Sequence, residues 1–181
     1  GRVRTTIEQK IIVLDVPAEQ VEPLADALAG IDLPVRPSTF RRQTMACTGL
    51  EYCKLAIVDT KDRAQTVIAE MEARMPDFDL PVTININGCP NSCARIQTGD
   101  IGLRGQVMRG LDGGDVEGFQ VQLGGGLDAQ TGFGRKVRGL KVTAEDLPDY
   151  LERVLRRFSD GREPDESFAQ WVRRVEEAQL T

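Results

Sequence analysis

The sequence predicts an α+β fold, and three observations carry that expectation. Lys10 to Val16 is a run rich in Ile and Val, the composition of a β-strand. Three later segments place apolar residues at helical spacing. Between them, the stretch from Gly99 to Gly139 holds 13 of the chain's 18 glycines and reads as strands joined by loops.

Each element follows from local chemistry. After the first strand, Pro17 to Ala29 reads as a helix ended by Gly30, with Pro23 as a kink or as its true start. Ile31 to Phe40 is proline-rich and predicts an extended connector. A short helix is expected to begin at Cys47. A longer one runs from about Asp62 to Met75, with Thr60 as its N-cap. Ala64, Val67, Ile68, Met71 and Met75 lie on one face of it and read as core, the two methionines as filler. Pro81 to Asn85 predicts a strand leading into Cys89. Strands are expected near 100–108 and 118–123, joined by a hairpin at Asp112-Gly113-Gly114. Gly124 to Ala129 matches G-x-G-x-x-A, but Gly132 and Gly134 break the helix that a dinucleotide site requires, so a loop is the expectation. Thr143 to Asp146 resembles a capping box. Leu147, Tyr150, Leu151, Val154, Leu155 and Phe158 then form one apolar face, and Phe168, Trp171, Val172 and Val175 another. Trp171 reads as a core anchor.

The four cysteines carry the chemistry. Cys47 and Cys53 form C-x5-C, and Cys89 and Cys93 form C-x3-C after a gap of 35 residues. Glycine or proline marks both turns. Three uses are open: a [4Fe–4S] cluster, which takes four thiolates; a four-cysteine zinc site, against which the long first interval weighs; or two disulfides, which suit small secreted domains better than a chain of this size. Gly49 and Gly88 permit close backbone approach to sulfur, and N–H groups directed at sulfur tune a cluster.

Cys47-Thr48-Gly49 with Cys53, then Asn87-Gly88-Cys89-Pro90-Asn91-Ser92-Cys93-Ala94, resembles the cluster motif of the siroheme-carrying sulfite and nitrite reductases. Members read C-T/S-G-x3-C, then G-C-P-N-S-C-A. Arg4-Thr5-Thr6-Ile7-Glu8-Gln9 resembles the family's R-x-T-x-x-Q segment. Asp100 to Gly105, Phe119 to Gly126 and Phe168 to Val175 resemble later parts, and the wording is nearest the actinobacterial ferredoxin-dependent sulfite reductases. The resemblance covers nearly the whole chain. It implies half of a ferredoxin-like domain over residues 1–40 and a mixed-sheet siroheme/[4Fe–4S] domain over 41–181. It implies a cluster on Cys47, Cys53, Cys89 and Cys93, with Cys93 bridging to siroheme and Asn91 and Arg95 approaching the macrocycle. The implied activity is assimilatory six-electron reduction of sulfite to sulfide. Electrons would come from ferredoxin. Nitrite reduction is the nearest rival, and a zinc-stabilised binding module is the rival of another class. Members are much longer than this chain, so it is expected to be a C-terminal piece, inactive without the N-terminal half that supplies most substrate-gripping cations.

Composition sets bounds on these readings. At 181 residues the chain can bury a core. Its net charge of −5 argues against nucleic acid. It has no histidine, which removes Ser-His catalysis and a His-ligated haem. No apolar run is long enough to cross a membrane and no segment reads as a signal peptide, so a reducing, cytoplasmic setting is expected. Eighteen of its 23 basic residues are arginine, and guanidinium forks suit the carboxylates of siroheme. Arg41, Arg42, Arg95, Arg104, Arg135, Lys136 and Arg138 lie near the motifs, although a surface ion pair is the ordinary role for each.

Overall fold

Ile84-Asn85-Ile86-Asn87 alternates with period two, yet all four side chains are buried. Such a strand has both faces covered and belongs inside a layered sheet. The structure, a computed structural model, describes residues 1–127 and 131–181. In chain order the strands are β1 (Arg2–Thr5), β2 (Ile11–Leu14), β3 (Thr44–Ala46), β4 (Ile84–Asn87), β5 (Ile101–Arg109), β6 (Asp115–Leu123) and β7 (Arg135–Thr143). The helices are α1 (Val21–Ala29), α2 (Thr39–Gln43), α3 (Lys61–Arg74), α4 (Leu147–Gly161) and α5 (Phe168–Arg174). β1 and β2 form a separate antiparallel pair, and the other strands form one mixed sheet ordered β3-β4-β5-β6-β7. β3, β4 and β5 run parallel; β5, β6 and β7 run antiparallel. The mixed sheet and its helices agree with the α+β expectation.

One core joins the sheet to its helices. Ile84, Ile86, Leu103, Phe119 and Val121 belong to the same buried cluster as Val67 and Met71 of α3 and Leu151 and Val154 of α4. All six predicted face residues of α4 are buried. Trp171 is fully buried against Phe158 and Phe168, with ring centroids 5.6 Å away in both cases, so it is the core anchor expected.

The two parallel connections differ in kind. A parallel crossover needs about a dozen residues and is usually a helix. The link from β3 to β4 obeys this and carries α3. The link from β4 to β5, residues 88–100, is built of turns and has no helix. It is pressed onto the sheet: a Cβ on Gly102 of β5 would collide with the Ile96 carbonyl. Its far end is tied down by Asp100, whose Oδ2 accepts from Thr83 N at 2.9 Å and Thr83 Oγ1 at 2.8 Å. Both cysteines of the second pair lie in this crossover.

Several elements differ from the sequence expectations. No helix begins at Cys47; residues 47–60 form turns, because Gly49 adopts φ +77° and leaves the right-handed helical region. The expected connector closes early, since Thr39 and Phe40 already belong to α2, capped by Ser38 Oγ on Arg41 N. The strand expected at Pro81–Asn85 is β4, displaced toward the cysteines. Thr60 holds the N-cap position of α3 without capping it; Asp59 Oδ2 accepts from Arg63 N instead, at 3.0 Å. Thr143 and Asp146 exchange hydrogen bonds, but α4 starts only at Leu147, and the true capping box is Ser167 with Gln170 on α5. β7 occupies part of the expected glycine-rich loop. Val137, Leu140 and Val142 are its buried residues, and Gly139 at φ +77° breaks the alternation that would have betrayed it. The Asp128 and Ala129 end of the G-x-G-x-x-A match lies outside the described residues.

The first forty residues present apolar surface. Val3, Ile7, Ile11, Ile12, Val21, Leu33 and Val35 are exposed. Val3, Ile11, Val21, Leu33 and Val35 among them, with Leu24 and Leu28 of α1, border an open apolar cavity of about 830 Å³. Among the described residues no helix is long and apolar enough to cross a membrane.

A pH dependence follows from the turn joining α4 to α5. Glu166 accepts from Arg174 Nε and Nη2, both at 2.7 Å. The guanidinium holds its carboxyl down to about 2, below the ordinary 4.5. A depressed carboxyl contributes stability that is complete above its unfolded value and lost as it protonates in the folded state. Urea midpoints of the wild-type chain should therefore fall between pH 4.5 and about 2, and Glu166→Gln should flatten that fall.

Candidate metal centre

β3 and β4 pair in register, Ala46 opposite Ile86, so they end side by side. Cys47 follows directly from β3, and Gly88-Cys89 from β4. The carboxyl ends of parallel strands are where α/β sheets place their ligands. Here the pairing brings the first cysteine motif onto the second. Cys47 N donates to Ile86 O at 2.9 Å. Gly88 N donates to Cys47 Sγ at 3.2 Å. A backbone N–H aimed at a ligand sulfur is one of the features that tune a cluster.

The first loop then folds over the second motif. Cys53 N donates to Gly49 O, closing one turn, and Ile57 N returns to Gly88 O at 2.7 Å. Thr60, fully buried, fixes the loop's start by donating from Oγ1 to Cys47 O at 2.8 Å. A Cβ on Gly49 would run into that same hydroxyl. Gly49 thus meets two demands that only glycine satisfies: a left-handed φ and contact with Thr60.

The second motif is held by asparagines that the sequence reading did not single out. Asn87 is fully buried. Its Nδ2 donates to Cys89 O at 3.0 Å and its Oδ1 accepts from Ala94 N at 2.7 Å, closing both ends of the cysteine turn. Asn85 Nδ2 donates to Arg95 O at 3.1 Å. Ile84 and Ile86 belong to the hydrophobic core, and the alternating asparagines bond to the crossover. The signal was available in the Ile-Asn-Ile-Asn alternation. It predicts polar residues on one face of a strand, but not what covers that face. Ser92 and Arg95 sit at φ 59° and 53°, so the turn around Cys93 is tightly coiled.

All four cysteines are free thiols, which removes the disulfide reading. Cys89 is buried, Cys47 and Cys53 are half-buried, and Cys93 is exposed. Among the described residues, no three His, Cys, Asp or Glu side chains converge as ligands of one metal ion. The chemistry of the donor set fits a cluster of four irons: four unpaired thiols, a donor already on one sulfur, and one thiol open to solvent.

The other predicted residues divide. Asn91 is exposed, and its side chain makes no hydrogen bond among the described residues; Asn87, not Asn91, caps the turn. Arg95 Nη2 donates to Ile7 O at 3.0 Å and lies 3.9 Å from Glu8. Arg41 and Arg42 pair with Glu72 and Asp79. Arg135 donates to Val172 O. Arg104, Lys136 and Arg138 form no ion pair among the described residues. Leu50, Tyr52, Leu55 and Ile57 of the first loop are exposed.

Residues 38–180 match the family model described as the nitrite and sulphite reductase 4Fe-4S domain. The chain belongs to that family. It is 51% identical over 99% of its length to a relative named sulfite reductase [ferredoxin] 1 from Mycolicibacterium paratuberculosis, and covers 33% of that protein. It is 39% identical over 86% of its length to the ferredoxin–nitrite reductase of Synechococcus elongatus, covering 30% of it. Among solved structures it is similar to the NirA protein of Mycobacterium tuberculosis, with TM-score 0.94 and 49% identity over 99% of this chain and 34% of that one. The chain thus spans about a third of the length of the relatives it matches.

Removing the brace on the cysteine turn should be costly. Asn87→Ala leaves the Ala94 N–H and the Cys89 carbonyl without partners in a buried site. The expected loss is about 2–4 kcal/mol in a denaturant titration of the metal-free protein. A loss below about 0.5 kcal/mol, within the range of surface substitutions, would show that the turn holds without it.

Proposed function

We propose that this chain is the cluster-carrying part of a ferredoxin-dependent sulfite reductase. The observation that carries this reading is the pair of cysteine motifs, all four thiols free, that leave the ends of two adjacent parallel strands, in a chain half identical to relatives named ferredoxin sulfite reductases. The lower identity to the nitrite reductase favours sulfite over nitrite. The proposed division places half of a ferredoxin-like domain at 1–40 and the cofactor domain at 41–181.

In this reading Cys47, Cys53, Cys89 and Cys93 would hold a [4Fe–4S] cluster, Cys93 would be shared with siroheme, and together these groups would supply one-electron transfer to the six-electron reduction of sulfite to sulfide. The chain's own contribution is positioning. The Gly88 N–H stabilises charge on the Cys47 sulfur. Asn87 and Asn85 hold the turn that presents Cys93 at the surface, where a second group can reach it. Asn91, uncommitted and two residues away, is the proposed contact to the macrocycle. Arg95 spends Nη2 on Ile7 O; its Nε and Nη1 are uncommitted among the described residues and are proposed for a carboxylate of siroheme.

The same reading makes this chain inactive alone. Reducing a small anion requires converging cationic donors at the point where charge develops. Arg41, Arg42 and Arg95 already face carboxylates of this chain. The remaining cations are proposed to come from the N-terminal half of the enzyme, with ferredoxin as donor.

Anaerobically purified protein should contain iron and acid-labile sulfide in equal amounts, and Cys53→Ser should lose both; stoichiometric zinc without sulfide would overturn the reading. In the full-length enzyme, Cys93→Ser should abolish magnetic coupling between cluster and siroheme in low-temperature Mössbauer spectra. Unchanged coupling would mean that another residue is the bridge. The isolated chain should show no sulfite turnover with reduced methyl viologen.

A further inference from the structure

We propose that Gln9 is a positioning residue for the metal centre: its side-chain amide takes the place of a missing neighbour strand on β3 and so fixes Cys47. This rests on the reading of Cys47 as a cluster ligand.

β3 is the edge strand of the sheet. Its inner side pairs with β4, and its outer side leaves backbone groups that need partners. At Ala46, the residue before Cys47, one side chain meets both outer groups, and Lys61 Nζ adds a second donor to the carbonyl at 3.3 Å. Gln9 Nε2 donates to Ala46 O at 2.7 Å, and Ala46 N donates to Gln9 Oε1 at 3.2 Å. A strand residue would exchange this same pair of bonds in an antiparallel ladder. An amide is the side chain that can do so, because it carries a donor and an acceptor side by side.

The turn that aims Gln9 is built for the purpose. Thr6 Oγ1 accepts from Glu8 N at 3.2 Å and Lys10 N at 3.1 Å. Gln9 N returns to Thr6 O at 3.2 Å. Gln9 itself sits at φ 60°, the left-handed state that commonly closes a short hairpin loop. Thr6 and Gln9 are the Thr and Gln of the Arg4-x-Thr6-x-x-Gln9 segment, so the turn absorbs two of its three residues. Lys10 Nζ extends the cover of the edge by donating to Thr44 O at 3.2 Å.

The second cysteine motif grips the same turn from its other side. Arg95, two residues past Cys93, donates from Nη2 to Ile7 O at 3.0 Å. Residues 6–10 therefore bracket both motifs: Ala46 before Cys47 and Arg95 after Cys93. The two sulfurs are held relative to each other by a segment that contributes no ligand.

The test uses the full-length protein purified anaerobically. Gln9→Met keeps the length and loses both hydrogen bonds. It should load a cluster, release its iron to a chelator about tenfold faster, the factor set by the loss of roughly one net hydrogen bond because Lys61 still reaches the Ala46 carbonyl, and shift the EPR signal of the reduced cluster. Thr6→Val, which unties the turn without touching β3, should move both readouts the same way. Asp15→Ala is the control. It removes the Arg2–Asp15 pair at the other end of the hairpin and should leave both unchanged. Equal effects from Gln9→Met and Asp15→Ala would reduce the role to general hairpin stability and overturn the proposal, as would no effect of Gln9→Met. Cys47→Ser separates the two readings. If it loses iron while Gln9→Met changes nothing, only this inference falls; if it keeps iron and sulfide in full, both fall.

Discussion

The in-register parallel pairing of β3 with β4 is the constraint on which the rest depends. Two strands of three and four residues end together, and the chain leaving each enters a cysteine turn. A one-residue slip would reverse which side chains face the helices, expose Ile84 and Ile86 to the crossover and bury the asparagines in the core. The register is therefore held by hydrophobic burial on one face and by amide hydrogen bonds on the other. The cysteines inherit their placement from it.

Putting the second cysteine pair in a crossover without a helix has a physical cost. A turn-built segment lying on a sheet buries peptide groups that no regular ladder satisfies. Asn85, Asn87, Thr83 and Asp100 satisfy them one by one. Burial pushes the Asp100 carboxyl up, against the pull of its hydrogen bonds from Thr83. In return, the turn is hydrogen-bonded at both ends where it presents Cys93 to solvent. A braced backbone with one exposed thiol suits a ligand shared between two groups.

The edge of the sheet poses the complementary problem. β3 lies where a partner strand would add, and among the described residues no further strand lies beyond it. Gln9 and Lys10 cover it with side chains instead of backbone. This solution also ties the N-terminal hairpin to the metal centre. The hairpin's apolar face stays exposed and borders an open cavity, unlike the well-filled core under α3 and α4.

Much of this protein was legible in its sequence, for reasons that are local. Helical periodicity marked α3, α4 and α5, since an amphipathic face is a property of one segment. The Asp112-Gly113-Gly114 hairpin followed from turn chemistry. Cys47, Cys53, Cys89 and Cys93 stood out because thiols in paired turns have few uses, and the wording around them pointed to the family the comparisons support. Other features required the folded chain. β7 was hidden by glycines and basic residues whose strand state comes from pairing with β6. Thr60 looked like a helix cap, but its hydroxyl is drawn to the Cys47 carbonyl that folding brings beside it. Asn87 and Gln9 stand in segments that resemble the family's, but what each one does comes from backbone groups that tertiary structure leaves unpaired. Spacing within a segment determines helices, turns and the kind of ligand; which buried N–H and C=O groups need a partner, and which side chain can reach them, is decided only when distant segments meet.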